Sequence, residues 1–366
     1  MMKTIKIGII GTGVGIRTHL KAFKSIEGCK VVAIVGSSKK RAEHFAKQWN
    51  IPIACENYKE LCNINDIDLV CVCSPNPYHY DAMKYAILKG KNIICEKPVS
   101  YISNEVEQLA VLCNTSKAFI CVDHQLRFNP YMKKIKQIIN EGIIGKIYLV
   151  KINQIGNGFS DNTLPWSWSF DGTQGGGVRL AMASHFNDLM QFWFNNRPVC
   201  SVTGNLNPIF KVRNVNDEAK LVTASTLCNA QIQFKDELSA MYSINAGGFG
   251  PFRFEIDMFG DKGELHFDLV NKLSLYTCEK KGEKQIIEVN NVFDDERENK
   301  ASLFSGSFRY FAPLVIEKLL GNEVKELDNV ATLEDAKYNG MILDAIKKSS
   351  NSGIPVVFFR EENIYV

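Results

Sequence analysis

The sequence predicts an α/β protein in which a doubly wound parallel sheet precedes a second α/β domain with a large, mostly antiparallel open sheet. From residue 1 to about 125, short apolar runs alternate with segments of helical period. Such alternation is typical of a parallel sheet with both faces covered. From about 199 to 290, apolar and polar residues alternate instead, as in antiparallel strands with one face in water. The first strand also enters a glycine-rich turn directly, as in nucleotide-binding folds.

Five strands are predicted in the first domain, which we place at residues 1–125. Each is a short, mainly apolar run, and the clearest helix between them covers Ser103 to Thr115. The strands are Ile5 to Ile10, Val31 to Val35, Leu69 to Cys73, Asn92 to Cys95 and Phe119 to Val122.

The second domain, residues 126–366, is predicted to begin with a strand over 146–155 and a long loop over 156–177. A loop of this length inside a compact domain is usually functional. A helix over Val178 to Phe194 follows it. Strands are then expected at Ile232 to Phe234, Met241 to Ile244 and Phe252 to Phe259, and helices near Leu303 to Leu320 and Leu333 to Lys348. Alternatively, these final helices could pack on the first domain instead of the second.

Composition places the chain among ordinary globular proteins. Its 366 residues, 45% hydrophobic and 23% charged, suffice for two domains with separate cores. A net charge of +3 is too small to indicate nucleic acid or a membrane surface as a partner. The eleven cysteines lie mostly in apolar runs, without CxxC spacing or a secretory leader. We therefore expect reduced thiols in a cytoplasmic protein.

The turn after the first strand is the predicted dinucleotide site. In a strand–loop–helix context, its glycines permit a tight turn and close backbone approach, and the amides of the helix N-terminus face a pyrophosphate. The usual third glycine position is occupied by Ile16, and Gly15, one residue earlier, would relieve the resulting crowding. The cofactor-binding residues expected here are Gly11, Thr12, Gly13, Val14 and Gly15.

The end of the second strand predicts the choice of dinucleotide. NAD enzymes usually place an acid there to bind the ribose 2′-hydroxyl, but this chain has Gly36. Ser37 and Ser38 follow it, and then Lys39 to Arg41, which together offer donors for a 2′-phosphate. We predict NADP as the preferred cofactor, with NAD as an alternative. Lys39 to Arg41 could equally be a solvated first helical turn.

Charged and polar residues follow two further strands. In open α/β sheets, ligands bind at the carboxyl ends of the strands. Glu96-Lys97-Pro98 ends one apolar run abruptly, and the proline restricts the backbone at the lysine. An extended loop follows another apolar run and has the sequence Ser74-Pro75-Asn76-Pro77-Tyr78-His79. We expect Ser74, Asn76 and His79 to help bind the cofactor. A histidine considered alone is more often packed or on the surface.

Six short motifs carry a resemblance to a known family. They are Gly11-Thr12-Gly13 with His19, Ser74 to His79, Glu96-Lys97-Pro98, His124-Gln125-Leu126-Arg127-Phe128-Asn129-Pro130, Gly142-Ile143-Ile144-Gly145, and Gly175-Gly176-Gly177 followed by Ser184-His185. In the order and spacing of these motifs, the chain resembles the glucose-fructose oxidoreductase, inositol dehydrogenase and rhizopine-catabolism (Gfo/Idh/MocA) family over nearly its whole length. The resemblance implies an N-terminal Rossmann domain, and a C-terminal α/β domain whose open sheet often forms dimers. It also implies a nicotinamide cofactor between the domains and a catalytic Lys97 near the nicotinamide.

Oxidising a secondary alcohol requires a base for the hydroxyl proton. A free lysine, with a pKa of about 10.4, is a poor base at neutral pH, but burial beside a positively charged nicotinamide would lower that value. Lys97 is therefore the first acid/base candidate and His185 the second. Glu96 is expected to orient the cofactor or Lys97. We expect no metal.

One departure from the family concerns the second catalytic residue. Members that oxidise sugars or inositols commonly have an aspartate four residues before the histidine, and this chain has Ala181 there. In an α-helix the two positions share a face, so that carboxylate is missing beside His185. Asp188 could orient the ring instead.

Besides His185, three residues are candidates for binding the substrate. His124 and Arg127 could bind its polar groups, although a salt bridge joining the two domains is an alternative role for Arg127. Trp168 could stack on a sugar, although burial is the commoner fate of a tryptophan.

The sequence thus predicts an NADP-preferring oxidoreductase of a sugar, nucleotide-linked sugar or cyclic polyol, and the resemblance to the family implies a homodimer or homotetramer. Two alternatives remain open at this stage. One is an NAD-dependent glycosidase that oxidises its substrate transiently, and the other is a non-catalytic, cofactor-sensing regulator. The expected partner is a small molecule, and neither nucleic acid nor a membrane is expected.

Overall fold

The computed structural model describes residues 3–215, 218–270, 272–291 and 302–358. The chain divides into two compact units. Unit 1 contains residues 1–129 and 301–337, and unit 2 contains residues 130–300 and 338–366. Within the described residues, none of the helices combines the length and the apolar character needed to span a bilayer.

Unit 1 contains a six-stranded, entirely parallel sheet with the strand order β3-β2-β1-β4-β5-β6. This is the order of a dinucleotide-binding doubly wound sheet, so the predicted fold of the first domain is confirmed. The strands are β1 (Ile5–Ile10), β2 (Cys29–Val35), β3 (Ile53–Cys55), β4 (Leu69–Val72), β5 (Asn92–Glu96) and β6 (Ile120–Asp123). The sequence interpretation missed β3, which has three residues and is too short to show a period.

Two apolar cores cover the faces of this sheet, because successive residues of each strand point to opposite faces. Cys71 and Ile94 contribute to one core, and Val70 and Cys95 to the other. The helices of unit 1 are α1 (Lys21–Phe23), α2 (Lys39–Trp49), α3 (Tyr58–Cys62), α4 (His79–Leu88), α5 (Ser103–Cys113) and α8 (Ser307–Leu320). A π-helical segment, Gly15–Leu20, leads into α1. α8 packs in the first core, through Phe308 among others.

Unit 2 contains a nine-stranded sheet with the order β16-β15-β14-β13-β7-β12-β11-β8-β17. Its strands pair antiparallel except for β12 with β7, which confirms the large, mostly antiparallel sheet. They are β7 (Ile147–Ile155), β8 (Val199–Asn207), β11 (Leu227–Phe234), β12 (Ser239–Asn245), β13 (Arg253–Gly260), β14 (Gly263–Asp268), β15 (Lys272–Thr277), β16 (Gln285–Ile287) and β17 (Val356–Val357). A separate hairpin pairs β9 (Val212–Val215) with β10 (Glu218–Leu221).

Buried and exposed residues alternate along the central strands of the large sheet, and α7 (Ser184–Phe194) is buried along its whole length. The π-helical segment Arg179–Ala183 precedes α7, so the helix predicted to start at Val178 is a regular α-helix only from Ser184 onward. The other helices that include residues of this unit are α6 (Pro130–Asn140) and α9 (Leu333–Ser352), the latter shared with unit 1.

Candidate active site

The glycine turn follows β1 and has little room for side chains where it meets β4. Gly11 adopts φ +114°, and a Cβ on it would lie 2.3 Å from the carbonyl oxygen of Cys73. A Cβ on Gly15 would lie 2.7 Å from Cγ2 of Ile9, whereas Ile16 packs in the core. Gly15, and not residue 16, is therefore the glycine at the contact between helix and strand. It takes the place of the usual third glycine.

Gly13 lies where the turn is open. A Cβ on Gly13 would meet no atom within 4 Å. Backbone amides precede the helical segment Gly15–Leu20 at this point, at the carboxyl ends of parallel strands. This combination of open space and helix N-terminal amides fits the pyrophosphate of a dinucleotide.

The segment after β2 provides a cation beside the glycine turn. Arg41 donates from Nε to Oγ1 of Thr12 over 2.8 Å. Ser38 caps α2 by accepting from the backbone amide of Arg41. Lys39 donates from Nζ to the carbonyl oxygen of Ala54, over 2.5 Å and away from the turn. Arg41 and Thr12, two of the predicted cofactor-binding residues, are thus in contact.

His79 joins the two loops that follow β4 and β5. Its Nδ1 lies 2.8 Å from the carbonyl oxygen of Pro98, and its Nε2 lies 2.6 Å from that of Ser74. Burial lowers the pKa of His79 below its ordinary value, with the two carbonyl groups acting in the opposite direction. The ring is thus engaged with backbone on both sides, and it holds together the loop that carries Asn76.

Lys97 follows β5 directly, and its peptide bond to Pro98 is cis. Burial lowers the pKa of the amine, and the neighbouring carboxylates of Glu96 and Asp123 act against that shift. A lysine with a lowered pKa can accept a proton nearer neutral pH than a solvated lysine can. This is the electrostatic property that the proposed acid/base role requires.

A buried cluster lies beside Lys97 on the sheet face covered by α8. Nε2 of His19 lies 3.2 Å from Oε1 of Glu96 and 3.1 Å from Oδ2 of Asp123. The nitrogen and oxygen atoms of the three side chains lie within 4.8 Å of one another, which is close enough to hold either a proton or a metal ion. Sequence analysis noted His19 only as part of a motif and did not identify Asp123.

The charges in this cluster shift one another's pKa values. Burial alone would lower the pKa of His19, but Cys73 and Asp123 outweigh it and raise that pKa well above the usual 6.5. Burial, followed by the charge of Glu96, raises the pKa of Asp123 to about 6. Burial also acts to raise the pKa of Glu96, but the bond from His19 outweighs it and the pKa is lowered. At neutral pH the shared proton therefore lies on His19.

The predicted substrate-binding residues of unit 1 follow β6. Arg127 is buried and donates from one guanidinium nitrogen to the carbonyl oxygen of Asn329 over 3.2 Å. The same nitrogen lies 3.5 Å from a carboxylate oxygen of Asp335. Both acceptors belong to unit 1, so this salt bridge lies within one unit. Burial, followed by Arg127 and Lys97, lowers the pKa of His124 well below its ordinary value.

The predicted residues of unit 2 lie on and before α7. His185 is buried on the first turn of this helix. Ala181 is exposed and lies in the π-helical segment, where hydrogen bonds run from i to i+5, so the α-helical i, i+4 relation to His185 does not apply. Trp168 is partly buried on a short 3₁₀ turn, Trp168–Phe170. The orienting role of Asp188 stays a prediction.

Comparison with known proteins identifies the family. Residues 5–124 match the family described as "Oxidoreductase family, NAD-binding Rossmann fold". Residues 136–358 match its C-terminal α/β domain. The chain belongs to the Gfo/Idh/MocA oxidoreductase family. The resemblance stated from the motifs is thus confirmed, and with it the NAD-binding fold of the N-terminal part.

Individual relatives of this family member are distant in sequence. An uncharacterised oxidoreductase of Synechocystis is 26% identical over 264 residues, 71% of each chain. Glucose-fructose oxidoreductase domain-containing protein 2 of Xenopus laevis is 24% identical over 96% of this chain and 93% of its own.

Solved structures share the fold. A levoglucosan dehydrogenase in complex with NADH and levoglucosan superposes with a TM-score of 0.85 at 17% identity, over 97% of this chain and 99% of that one. An NAD-binding oxidoreductase from Klebsiella pneumoniae gives a TM-score of 0.83 at 20% identity, over 98% and 100%.

Proposed function

We propose that this oxidoreductase transfers a hydride between a nicotinamide dinucleotide and a secondary alcohol or ketone of a sugar, nucleotide-linked sugar or cyclic polyol. The observation that carries the proposal is the position of Lys97. Lys97 directly follows the carboxyl end of β5, and burial lowers the pKa of its amine. The nearby carboxylates of Glu96 and Asp123 act against that shift. The levoglucosan and L-sorbose complexes of the structural neighbour support a carbohydrate as the substrate class.

In this proposal, the cofactor and the residues of the site have distinct roles in hydride transfer, proton transfer and substrate binding. The bound dinucleotide supplies or accepts the hydride. Lys97, in its neutral form, takes the proton of the substrate hydroxyl during oxidation and returns it during reduction. His185 is the second proton-handling group that we propose, and Glu96 orients Lys97. His124, Arg127 and Trp168 are proposed to bind the substrate.

We propose that unit 1 binds the dinucleotide through the glycine turn and the segment after β2. The groups concerned are Gly11, Thr12, Gly13, Val14, Gly15, Ser37, Ser38, Arg41, Ser74, Asn76, His79, Glu96 and Lys97. The contact of Arg41 with Thr12 supports a preference for NADP, since it places a guanidinium beside the turn where a 2′-phosphate would need one. NAD remains the alternative.

We propose that unit 2 binds the substrate and assembles into a homodimer or homotetramer through its large sheet. One face of this sheet is polar, with exposed side chains such as Thr203, Asn229, Gln231 and Ser243. This exposed face is the surface that we propose for the contact between subunits. Sedimentation of the protein would give the number of subunits directly.

The proposed activity is tested by following the absorbance of the reduced nicotinamide. The protein is mixed with NADPH or NADH and a panel of ketoses and keto-inositols, or with the oxidised cofactors and the corresponding polyols. The proposal predicts stoichiometric oxidation or reduction of the cofactor with at least one substrate. Release of sugar from aryl glycosides without net cofactor change would instead reveal a glycosidase. Cofactor binding without turnover on any substrate would reveal a regulator.

A further inference from the structure

The hairpin of β9 and β10 in unit 2 carries a buried cation. β10 is exposed along its whole length, and a two-stranded hairpin by itself is at best marginally stable in water. Arg213, on β9, is nevertheless only 2% exposed. A buried guanidinium needs partners that compensate its charge. The partners of Arg213 lie in the long loop over residues 156–177, which the sequence predicts to be functional.

Arg213 contacts the long loop mainly through backbone carbonyl groups. Its Nη1 donates to the carbonyl oxygen of Asp161 over 2.6 Å and to that of Leu164 over 3.4 Å. Its Nη2 donates to the carbonyl oxygen of Phe159 over 3.1 Å. The guanidinium carbon also lies 4.1 Å from the ring centroid of Phe170. One side chain of the hairpin thus contacts four residues spread along the loop.

A second cation of the hairpin contacts the same loop. Lys220 is the cross-strand partner of Arg213, and like charges directly opposite each other destabilise a pair of strands. Nζ of Lys220 lies 3.2 Å from the ring centroid of Trp166, whose Nε1 donates to the carbonyl oxygen of Leu221 over 3.4 Å. The loop compensates both charges, because it offers carbonyl oxygens to one cation and the face of an indole ring to the other.

Trp168 lies between two residues that the hairpin and its flanking segment hold. Trp166 precedes it by two positions and contacts Lys220. Phe170 follows it by two positions, and its carbonyl oxygen accepts from the backbone amide of Thr223 over 3.1 Å, just after β10. The position of Trp168 therefore depends on contacts made on both sides of it.

We propose that Arg213 is a positioning residue for the substrate: together with Lys220 it holds the long loop against the hairpin and so places Trp168. This inference rests on the proposed function, in which Trp168 binds the substrate. A loop that is ordered before the substrate arrives loses less conformational entropy on binding. In this role Arg213 raises the affinity for the substrate through the loop.

Two substitutions of Arg213 and a control test this role. Arg213→Met keeps an unbranched apolar stem and removes every donor to the loop. Arg213→Lys keeps the charge but lacks the guanidinium fork that reaches separate carbonyl groups, so its behaviour should lie between those of the parent and Arg213→Met. Lys211→Met removes an exposed cation two positions before Arg213 and is the control.

The first readout is the order of the loop, measured without substrate or cofactor. Chymotrypsin cleaves after aromatic residues, which the loop has at Phe159, Trp166, Trp168 and Phe170. Mass spectrometry of the products measures the cleavage rate at each site. We expect cleavage within the loop to be at least about tenfold faster in Arg213→Met than in the parent, because the bonds that close the loop are lost. Lys211→Met should be cleaved at the parent rate.

The proteolysis experiment distinguishes loss of the loop contacts from damage to the fold. Faster cleavage throughout the chain of Arg213→Met would mean that the residue only stabilises the fold, and it would overturn the inference. If Arg213→Met does not fold, Lys220→Met tests the second attachment at an exposed position. It should speed cleavage after Trp166 about threefold, and cleavage at the parent rate would contradict the account.

The second readout separates substrate affinity from chemistry. KM of Arg213→Met should rise about tenfold while kcat stays within about threefold of the parent value, because a disordered loop weakens binding of the substrate and of the transition state alike. Dinucleotide affinity, which we assign to unit 1, should stay within about twofold. A fall in kcat at unchanged KM would contradict a positioning role.

The two readouts also separate this inference from the proposed function. If no substrate is found but Arg213→Met is cleaved faster in the loop alone, the proposed function fails and the attachment of the loop stands. If substrates are turned over and KM is the same in the parent and Arg213→Met, the inference fails and the proposed function stands. Equal cleavage of the two proteins would overturn the inference whatever their activity.

Discussion

Nδ1 of His79 lies 2.8 Å from the carbonyl oxygen of Pro98, so the loop after β4 is fastened to the residue that follows the proposed catalytic lysine. The other ring nitrogen, Nε2, lies 2.6 Å from the carbonyl oxygen of Ser74, and the neutral ring donates to one of these two oxygens. His79→Leu keeps the bulk and removes both contacts. We expect a loss of about 1–3 kcal/mol in the free energy of unfolding and weaker dinucleotide binding, measured by urea titration and calorimetry. His44→Ala, at an exposed position, is the control and should change neither quantity.

The glycine turn offers a matched pair of substitutions. Gly11→Ala places a methyl group 2.3 Å from the Cys73 carbonyl oxygen at a positive φ, so we expect at least about 2 kcal/mol of destabilisation. Gly13→Ala meets no neighbouring atom, so it should change stability by less than about 0.5 kcal/mol. It should nevertheless weaken dinucleotide binding, because the new methyl group occupies the space proposed for the pyrophosphate. Normal dinucleotide binding by Gly13→Ala would place the cofactor elsewhere.

The proposed preference for NADP rests on Arg41. Arg41→Ala removes a charge-assisted bond to the 2′-phosphate, so affinity for NADPH should fall about tenfold or more, while affinity for NADH stays within a few-fold of the parent value. Fluorescence titration with each reduced cofactor measures both constants. Lys47→Ala, an exposed position in the last turn of the same helix, is the control. An equal effect on both cofactors would contradict the assignment.

The raised pKa of His19 predicts how stability depends on pH. Its folded-state pKa lies above 6.5, so the folded chain binds a proton that the unfolded chain releases. The resulting stability is fully present below pH 6.5 and is lost as the pH rises through the folded-state pKa. We expect the free energy of unfolding to include a component that falls by up to about 1.4 kcal/mol per pH unit.

His19→Gln isolates this component. Lys97 has a lowered pKa and contributes a slope of the opposite sign, but it does so in both proteins. The difference in unfolding free energy between parent and variant, measured in urea at several pH values above neutrality, should therefore narrow as the pH rises. A constant difference would mean that His19 is neutral in the folded protein.

Much of the fold and part of the site follow from local sequence patterns. The glycine turn and the motif around Lys97 are each contained in a few consecutive residues, so periodicity and turn chemistry suffice to locate them. The parallel first sheet and the mostly antiparallel second sheet were predicted in the same way. β3 was missed because three residues carry no period.

The contacts that sequence analysis missed are long-range. His19 and Glu96 are 77 positions apart, and their meeting depends on the register of neighbouring parallel strands. A local signal was nevertheless present, since Glu96 and Asp123 each end an apolar strand two residues after a core residue. The π-helical segment before α7, which alters the relation of Ala181 to His185, has no such signal in the pattern of residues.

The central claim is that the Lys97 amine handles the proton of the reaction. Lys97→Met preserves the length of the side chain and removes the amine, and Lys84→Met changes an exposed lysine as the control. Once a substrate is identified, kcat of Lys97→Met should fall at least about 100-fold, a much larger effect than the loss of up to about tenfold in dinucleotide affinity expected from removing one contact. Turnover by Lys97→Met at the parent rate would contradict the account.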